Sequence, residues 1–254
     1  WRAANQGIEE SSSDYVVLHD DDDSWMPTFL EETVRFLDTS DASIYGGVIG
    51  LTNIVREVVT KQDITVTETT PFAREIQHIS FYELCKHNLF PPISYLYRRS
   101  VHDKIGLYNE SMRVLGDWEF NLRTIQHFSI AIIHTHLANW HFRDEATTKN
   151  KEALNVTHTN RQQYDEDVTL LMNSLLRTDL TNGSLGLGYL VNTLYFKRQE
   201  DEEKKSDLIT RFHELTLRVH EVRDYILRLE NGVANGFKHI SSKSKPSKNR
   251  RFFR

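Results

Sequence analysis

The sequence has one cysteine, Cys85, among its 254 residues. A single cysteine excludes an internal disulfide and a cysteine-based zinc cluster, and it fits a reducing compartment. Long apolar runs are also missing. The longest, such as residues 15–18 and 130–133, fall far short of the roughly 20 residues that a membrane-spanning helix needs. We therefore expect no transmembrane segment.

The first residue, Trp1, is not an initiator methionine, and no signal peptide follows it. We expect the chain to begin inside a longer protein. A content of 39% hydrophobic and 26% charged residues is ordinary for a soluble globular chain and excludes disorder throughout. The length is sufficient to bury one large core or two small ones.

Charge is divided unevenly along the chain. Residues 238–254 contain seven basic residues and no acidic one. Residues 1–237 contain the other 24 basic residues and all 36 acidic ones, so their formal net charge is 24 − 36 = −12, compared with −5 for the whole chain. We expect the acidic body and the basic tail to meet different partners, and the Ser/Lys-rich tail to be disordered.

Residues 1–158 alternate short apolar runs with amphipathic stretches, which is typical of an α/β domain. Buried strands are predicted at three places and helices at two. The predicted strands are residues 15–18, 44–49 and 130–133, and the predicted helices lie around residues 29–37 and 118–127.

Residues 159–200 are predicted to form a helical extension. The Leu-rich stretch 165–196 contains a central Asn-Gly-Ser at residues 182–184, which indicates two helices joined by a turn. A polar segment, residues 200–207, is predicted to interrupt the helical structure. A heptad-repeat helix is then predicted within residues 201–237, before the basic tail at 238–254.

Apolar residues in that last helix recur at spacings of four and three. They are Leu208, Phe212, Leu215, Val219, Val222, Ile226, Leu229 and Val233. One interpretation is an amphipathic helix lying on the domain, and the other is a coiled coil that joins copies of the chain through residues 208–233. The unbroken 3.5-residue period is stricter than ordinary packing requires.

Four consecutive acidic residues follow the first predicted strand directly: Asp20, Asp21, Asp22 and Asp23. If the chain stays extended, Asp20 and Asp22 point to the same side, and their charges repel by several kcal/mol at low effective dielectric. Mg²⁺ or Mn²⁺ relieves that repulsion, and phosphate oxygens complete its coordination. Ligands of open α/β sheets bind beyond the carboxyl ends of strands, so the position also favours a nucleotide-phosphate site.

Two other interpretations of this cluster exist. A run of acids is often only a solvated turn, although such turns seldom follow a buried strand directly. A calcium loop would place Asp20, Asp22, Ser24 and Glu31 at ligand positions 1, 3, 5 and 12. That loop requires glycine where Trp25 stands and a preceding helix where a strand is predicted, so metal with phosphate is favoured.

Four motifs follow one another between residues 1 and 123. Residues 2–8 and 14–27 give an Ala-rich helix ending in Asn-x-Gly, a strand, a DxD motif and a Trp-x-Pro that starts a helix. Residues 91–99 are Pro-Pro-Ile-Ser-Tyr-Leu-Tyr-Arg-Arg, residues 105–110 are Ile-Gly-Leu-Tyr-Asn-Glu, and residues 116–123 begin with Gly-Asp-Trp-Glu. In this order they resemble the DxD region, acceptor-side strand, Gly-x-Phe-Asp-Glu turn and Glu-Asp-Trp helix of family 2 glycosyltransferases.

The resemblance implies a GT-A fold, with a mixed sheet flanked by helices, incomplete at the N-terminus and followed by C-terminal helices. It implies that Asp20, Asp21 and Asp22 bind the nucleotide-sugar donor, with Asp20 towards the ribose and both Asp20 and Asp22 at the metal. It makes Asp117 the catalytic base, and Trp118 and Arg99 acceptor contacts.

The chemistry agrees with those roles. Inverting sugar transfer needs a carboxylate that takes the proton of the acceptor hydroxyl while a nucleoside diphosphate leaves from the opposite face. A metal ion neutralises the charge that builds on the departing phosphate. Asp117 opens a predicted helix, whose dipole favours the ionised carboxylate. The alternative is that Asp117 is only a helix N-cap, as Asp often is.

The sequence departs from the family pattern in three ways. The strand, nucleotide-binding turn and second βα unit with which the family begins are absent before Trp1, and the resemblance implies that they contribute to donor binding. Gly116 stands where the family commonly has Glu. The stretch around His141 and Arg143 resembles a late loop in which either residue faces the diphosphate; His141 is the predicted metal ligand, with a surface histidine as the alternative.

Together these observations predict an inverting, metal-dependent glycosyltransferase acting on a glycan or lipid-linked acceptor, with Mg²⁺ or Mn²⁺ as cofactor. The alternative function is a non-catalytic assembly module built on the heptad helix. We expect a cytoplasmic location, with peripheral membrane contact through the basic tail at about 1 kcal/mol per basic residue, rather than nucleic-acid binding. That preference follows from the lipid-linked acceptors that the resemblance implies.

Overall fold

A computed structural model describes residues 1–60, 63–73, 76–143 and 161–243. The chain divides into two units, Trp1–Lys197 and a second that begins at Arg198. The first contains every strand that the described residues form, and the second is helical. Each unit is described by itself.

The described strands form a single mixed sheet. They are β1 (Tyr15–Val16), β2 (Ser24–Trp25), β3 (Tyr45–Val59), β4 (Ile64–Pro71), β5 (Tyr95–Arg98) and β6 (Ser129–Arg143). Their order is β1-β5-β3-β6-β2, and β4 pairs with the far half of β3. The long strands β3 and β6 run parallel, whereas the other pairs are antiparallel. The mixed sheet predicted from the sequence is confirmed.

Seven helices accompany the sheet in the described part of the chain. They are α1 (Arg2–Glu10), α2 (Phe29–Thr39), α3 (Phe81–Lys86), α4 (Val101–Ile105), α5 (Gly116–Ile125), α6 (Arg161–Asn182) and α7 (Leu187–Lys243), and a 3-10 turn spans Pro92–Ser94. The predicted helices around residues 29–37 and 118–127 are confirmed as α2 and α5. Helix α2 buries Phe29, Thr33 and Leu37, which its 3.6-residue period places on one face.

The main core lies between α5 and the sheet. Trp118, Phe120 and Leu122 of α5 are each at most 1% exposed, and they belong to the same apolar cluster as Tyr95 and Tyr97 of β5. Side chains from α6 and the start of α7 join this cluster: Val168, Leu171, Met172 and Val191. The helices that follow the α/β region are therefore part of the first unit's core.

The predicted turn between two C-terminal helices is confirmed. Helix α6 ends at Asn182, and Gly183 adopts φ +67°, a left-handed conformation that glycine reaches without a steric penalty. Asp179 then accepts hydrogen bonds from the backbone N–H groups of Gly186 (2.9 Å) and Tyr189 (2.8 Å) at the start of α7. The turn is thus held by a carboxylate at the N-terminus of the second helix.

The strands predicted at 44–49 and 130–133 are confirmed and are parts of the longer β3 and β6. Two other expectations about local structure were wrong. The strand predicted at residues 15–18 forms sheet pairs only at Tyr15–Val16, and the chain then turns instead of staying extended. The polar segment 200–207 is helical, because Glu and Lys are good helix formers.

Ion pairs four residues apart also support helix α7 through that polar segment. Lys204 lies 3.8 Å from Glu200, and Arg211 lies 2.8 Å from Asp207. The helix continues to Lys243, so residues 238–243 are not disordered as predicted. Residues 244–254 of the predicted tail lie outside the described residues.

The heptad positions of α7 are exposed in the second unit. Their exposed fractions range from 58% to 71% for Leu208, Phe212, Leu215, Val219 and Val222. The remaining three positions, Ile226, Leu229 and Val233, also lie on the helix. The coiled coil stays a prediction. Of the helices in the described part of the chain, none combines the length and the apolar composition needed to cross a bilayer.

Candidate active site

A cavity of about 750 Å³ opens in the first unit beside the ends of α1 and α5. We call it the central pocket. Two carboxylates, an amide and a guanidinium face it together with several aromatic rings. Among its lining residues are Asp20, Asn88, Arg113, Asp117, Trp1, Phe72, Trp140 and Tyr164. The pocket therefore brings together two acidic residues predicted from distant parts of the sequence.

Residues 20–23, the acidic turn, follow β1 and lead into β2. The N–H of Asp23 donates to the carbonyl of Asp20 at 3.2 Å, which closes a tight turn. Asp20 is the member of this turn that lines the central pocket. Partial burial raises the pKa of Asp20, and the charges of Asp22 and Asp21 raise it further. The predicted crowding of negative charge is therefore present, although the backbone turns.

Asp23 is the buried member of the acidic turn, with 8% of its surface exposed. Burial raises the pKa of Asp23 to about 7, against the opposing effect of a hydrogen bond from the backbone N–H of His141, at 2.9 Å. Sequence reasoning assigned Asp23 no role. The pairing of β2 with β6 brings it beside His141, and no local motif carries that information.

A buried carboxylate on β3, Glu57, holds two basic residues of β6. His141 Nδ1 lies 2.5 Å from Glu57 Oε1, and its Nε2 lies 2.8 Å from the Oγ of Ser24. Arg143 Nε donates to Glu57 Oε2 at 3.2 Å, and Arg143 Nη1 donates to Asp22 Oδ2 at 3.2 Å. This Glu57 network connects the acidic turn to the parallel β3–β6 pair.

Strand pairing places Glu57 beside its partners. In the parallel β3–β6 pair, Glu57 lies opposite Arg143 and Val55 lies opposite His141. The register shift between β3 and β4 at this point leaves the extra residue, Thr67, on β4. Glu57 is only 6% exposed, and a carboxylate so buried requires charged or hydrogen-bonding partners. His141 and Arg143 provide them.

The donor atoms of the acidic turn fit a divalent metal only in part. Asp20 and Asp22 offer the hard oxygen ligands that Mg²⁺ prefers, and Mg²⁺ is usually bound by one or two carboxylates together with substrate phosphates. Within the described residues, no group of three or more His, Cys, Asp or Glu side chains is placed to hold a metal ion. Both ring nitrogens of His141 are hydrogen-bonded. These contacts hold His141 beside the turn, and its role as a metal ligand stays a prediction.

Asp117 is the second residue of α5, and its carboxylate lines the central pocket. Asn88 Nδ2 donates to Asp117 Oδ2 at 2.6 Å, and Asn121 Nδ2 donates to Asn88 Oδ1 at 3.2 Å. Burial raises the pKa of Asp117 to about 6, opposed by hydrogen bonds from the backbone N–H of Trp118 and from Asn88. The N-cap of α5 is Leu115, so the alternative of Asp117 as an N-cap is wrong.

Gly116 has a local reason to lack a side chain. A Cβ on Gly116 would overlap the indole of Trp1, which is stacked on Tyr108 with ring centroids 5.1 Å apart. The glutamate that the family commonly carries here would require Trp1 to move. The indole thus occupies the space beside the predicted base.

The two predicted acceptor contacts have structural roles. Arg99 Nε donates to the carbonyl of Ser13 at 2.5 Å and Nη1 to the carbonyl of Ile8 at 2.7 Å, while Nη2 also reaches Ser11 Oγ. Arg99 therefore ties the end of α1 to the sheet and does not line the central pocket. Trp118 borders the pocket but is 1% exposed, and its N–H donates to the carbonyl of Leu84 at 2.7 Å. The acceptor roles of Arg99 and Trp118 stay predictions.

Residues 2–106 match the sequence profile described as glycosyl transferase family 2. Over this segment the chain is similar to family 2 glycosyltransferases. The match covers α1, the acidic turn and β5, whereas Asp117, His141 and α6 follow it in the chain. The GT-A-like α/β fold predicted from the motifs is confirmed.

Two known proteins are similar to the chain. An uncharacterized glycosyltransferase of Bacillus subtilis (strain 168), YwdF, is 26% identical over 129 residues, which cover 50% of this chain and 45% of YwdF. The crystal structure of S. aureus TarS 1-349 aligns with a TM-score of 0.41 and 13% identity, over 76% of this chain and 49% of that one. The chain thus spans about half the length of each.

Proposed function

We propose that this protein transfers a sugar, with inversion, from a nucleotide-diphosphate sugar to a hydroxyl of a glycan or lipid-linked acceptor, with Mg²⁺ or Mn²⁺ as cofactor. One observation carries the proposal: Asp20 from the first of the four sequence motifs and Asp117 from the last line the same cavity. The family match over residues 2–106 supports sugar transfer in general.

Asp117 is suited to act as the base. Its carboxylate accepts the proton of the acceptor hydroxyl as the hydroxyl oxygen forms a bond to the anomeric carbon. The bond from that carbon to the diphosphate oxygen breaks, and the nucleoside diphosphate leaves with the electron pair. A base is most effective when its pKa lies near the working pH, so a pKa of about 6 keeps Asp117 ionised and basic at neutral pH.

The acidic turn is suited to hold the donor diphosphate. Asp20 and Asp22 would share the divalent ion, which neutralises charge on the leaving diphosphate when bound. Asp22 is oriented by Arg143, and the backbone of His141 holds Asp23. Asp21, the remaining predicted donor residue, is exposed beside them and stays a prediction.

The aromatic lining of the central pocket is suited to an acceptor sugar. Trp140 is half-buried and packs against Phe72 with ring centroids 5.7 Å apart. Trp1 and Tyr164 add two more rings. Ring faces pack against the CH groups of sugars, so we assign the acceptor contact to Trp140 instead of Trp118.

Two variants test the assignment in the full-length protein. With a panel of UDP-, GDP-, dTDP- and CDP-sugars and Mn²⁺, we expect Asp117→Asn and Asp22→Ala each to lower nucleoside diphosphate release by about 10²- to 10⁴-fold. Glu31→Gln, which removes an exposed carboxylate paired only loosely with Arg35 at 3.9 Å, is the matched control. Wild-type rates in both site variants would refute the roles of Asp117 and Asp22.

A further inference from the structure

Helix α6 places a fully buried carboxylate, Asp167, against the loop that precedes α5. Asp167 is 0% exposed. Its Oδ2 accepts hydrogen bonds from three consecutive backbone N–H groups, those of Arg113 (2.7 Å), Val114 (2.6 Å) and Leu115 (3.3 Å). Its Oδ1 lies 3.2 Å from Nε of Arg113. Successive backbone N–H groups that converge in this way form an anion-binding nest.

The nest lies immediately before the predicted base. Leu115 is the N-cap residue of α5, and its side chain makes no capping hydrogen bond. The first N–H groups of a helix have no partner within the helix, and a carboxylate near them is favourable. Asp167 supplies this negative charge from another helix. Asp117 is two residues beyond Leu115, so the backbone that Asp167 holds determines where the Asp117 carboxylate enters the pocket.

We propose that Asp167 is a positioning residue that orients Asp117 for proton abstraction, so that α6 is part of the catalytic apparatus although it follows the family-matched segment. The proposal rests on the proposed function through the role of Asp117. Misplacing a reacting group by about 1 Å costs on the order of 10²-fold in rate. The carboxylate that fixes the loop is therefore expected to control turnover without contacting substrate.

Glu166, the neighbouring residue, provides a matched control. Glu166 Oε2 pairs with Arg113 Nη2 at 2.7 Å, so it shares the guanidinium partner of Asp167. Its side chain is 46% exposed, whereas that of Asp167 is 0% exposed, and it contacts this loop through the Arg113 side chain. Glu166→Gln removes a charge at nearly the same place and leaves the backbone nest intact.

The first experiment uses amide hydrogen exchange on the full chain. In the wild type we expect the N–H groups of Arg113 and Val114 to exchange slowly although they belong to a loop. Asp167→Asn has one acceptor oxygen instead of two, so its NH₂ group must face either the nest or Arg113. We expect hydrogen exchange at residues 113–115 to become about tenfold faster or more in this variant. Glu166→Gln should match the wild type. Wild-type amides that exchange at unprotected rates would overturn the proposal even if Asp167→Asn fails to fold.

The second experiment follows the Asp117 carboxyl by ¹³C NMR titration. Burial raises the pKa of Asp117 to about 6. If the Asp117 carboxyl moves towards solvent in Asp167→Asn, its pKa should fall towards the ordinary value of about 4. Glu166→Gln controls for the loss of one charge and should leave the pKa within a few tenths. An unchanged Asp117 titration in a folded Asp167→Asn protein would also overturn the proposal.

The third experiment measures steady-state kinetics with a nucleotide sugar that the wild type turns over. It separates the positioning role of Asp167 from the transferase activity itself. We expect Asp167→Asn to lower kcat by about 10²-fold with little change in donor KM, because the acidic turn is untouched. If the wild type turns over no donor while the exchange and titration results hold, the transferase assignment fails and the positioning of Asp117 stands. Equal losses in kcat with Glu166→Gln would count against Asp167.

Discussion

At the residue scale, the environment of Asp117 sets the expected pH dependence. Its pKa is raised to about 6 chiefly by burial, and the hydrogen bond from Asn88 opposes that rise. The ionised form that accepts a proton therefore predominates only above about pH 6. We expect kcat/KM to fall as the pH drops through this value.

Removing the Asn88 amide should raise the pH at which kcat/KM falls. Asn88→Ala deletes a hydrogen bond to the charged form, so the pKa of Asp117 rises and the acid limb of the kcat/KM profile shifts to higher pH. Gln126→Ala is the control, because the amide of this residue, at the C-cap of α5, donates to the carbonyl of Leu122 and not to Asp117. A limb that stays in place in Asn88→Ala would mean that another group controls the profile.

Some candidate site residues could be predicted from the sequence and others could not. The two groups differ in how far along the chain their partners lie. Asp20, Asp22 and Asp117 stand in local motifs, and their motifs alone predicted them. Asn88 bonds Asp117 across 29 residues, and Glu57 bonds His141 across 84. Such partners depend on strand pairing and helix packing, so no spacing rule finds them. A motif does not say whether a side chain faces a pocket or the core, so the contacts of Arg99 with Ser13 and of Trp118 with Leu84 were not predicted.

At the element scale, periodicity predicted elements better than it predicted their ends. Helix α2 buries the face that its spacing indicated. Strand β4 was not predicted because seven of its eight residues are exposed, so its Thr-rich sequence lacks the alternation of a strand with a buried face. The polar part of α7 was taken as a break, although strong helix formers carry a helix without apolar contacts. Polarity and helix breaking are separate properties.

The exposed heptad positions of α7 support a second candidate function, an assembly module. By sedimentation velocity of the full chain, we expect an oligomer that the double variant Leu215→Asp and Val219→Asp converts to a monomer, because buried unpaired charges are costly in a coiled-coil seam. Thr210→Asp with Leu217→Asp, off the seam, should sediment as the wild type does. A wild-type monomer at about 100 μM would end this candidate.

At the scale of the whole molecule, the basic tail makes a separate prediction of peripheral membrane contact. Residues 238–254 carry seven basic residues and no acidic one, beside a body of net charge −12. We expect the protein to bind vesicles containing phosphatidylserine, and not pure phosphatidylcholine, with binding lost in high salt. Changing Lys245 and Lys248 to Gln should weaken it, while the matched change of exposed Lys204 and Lys205 to Gln should not. Salt-insensitive binding would contradict an electrostatic contact.

The position of Glu57 on β3 restricts how the length of this strand can vary. Strand residues alternate between the two faces of a sheet, so inserting or deleting one residue between Asn53 and Glu57 would turn Glu57 away from His141 and Arg143. Both basic residues would lose their anchor, and the acidic turn would lose its support on β6. The hairpin of β3 and β4 can therefore change length beyond Val59, whereas the stretch of β3 before Glu57 must keep its length for Glu57 to hold the acidic turn through Arg143.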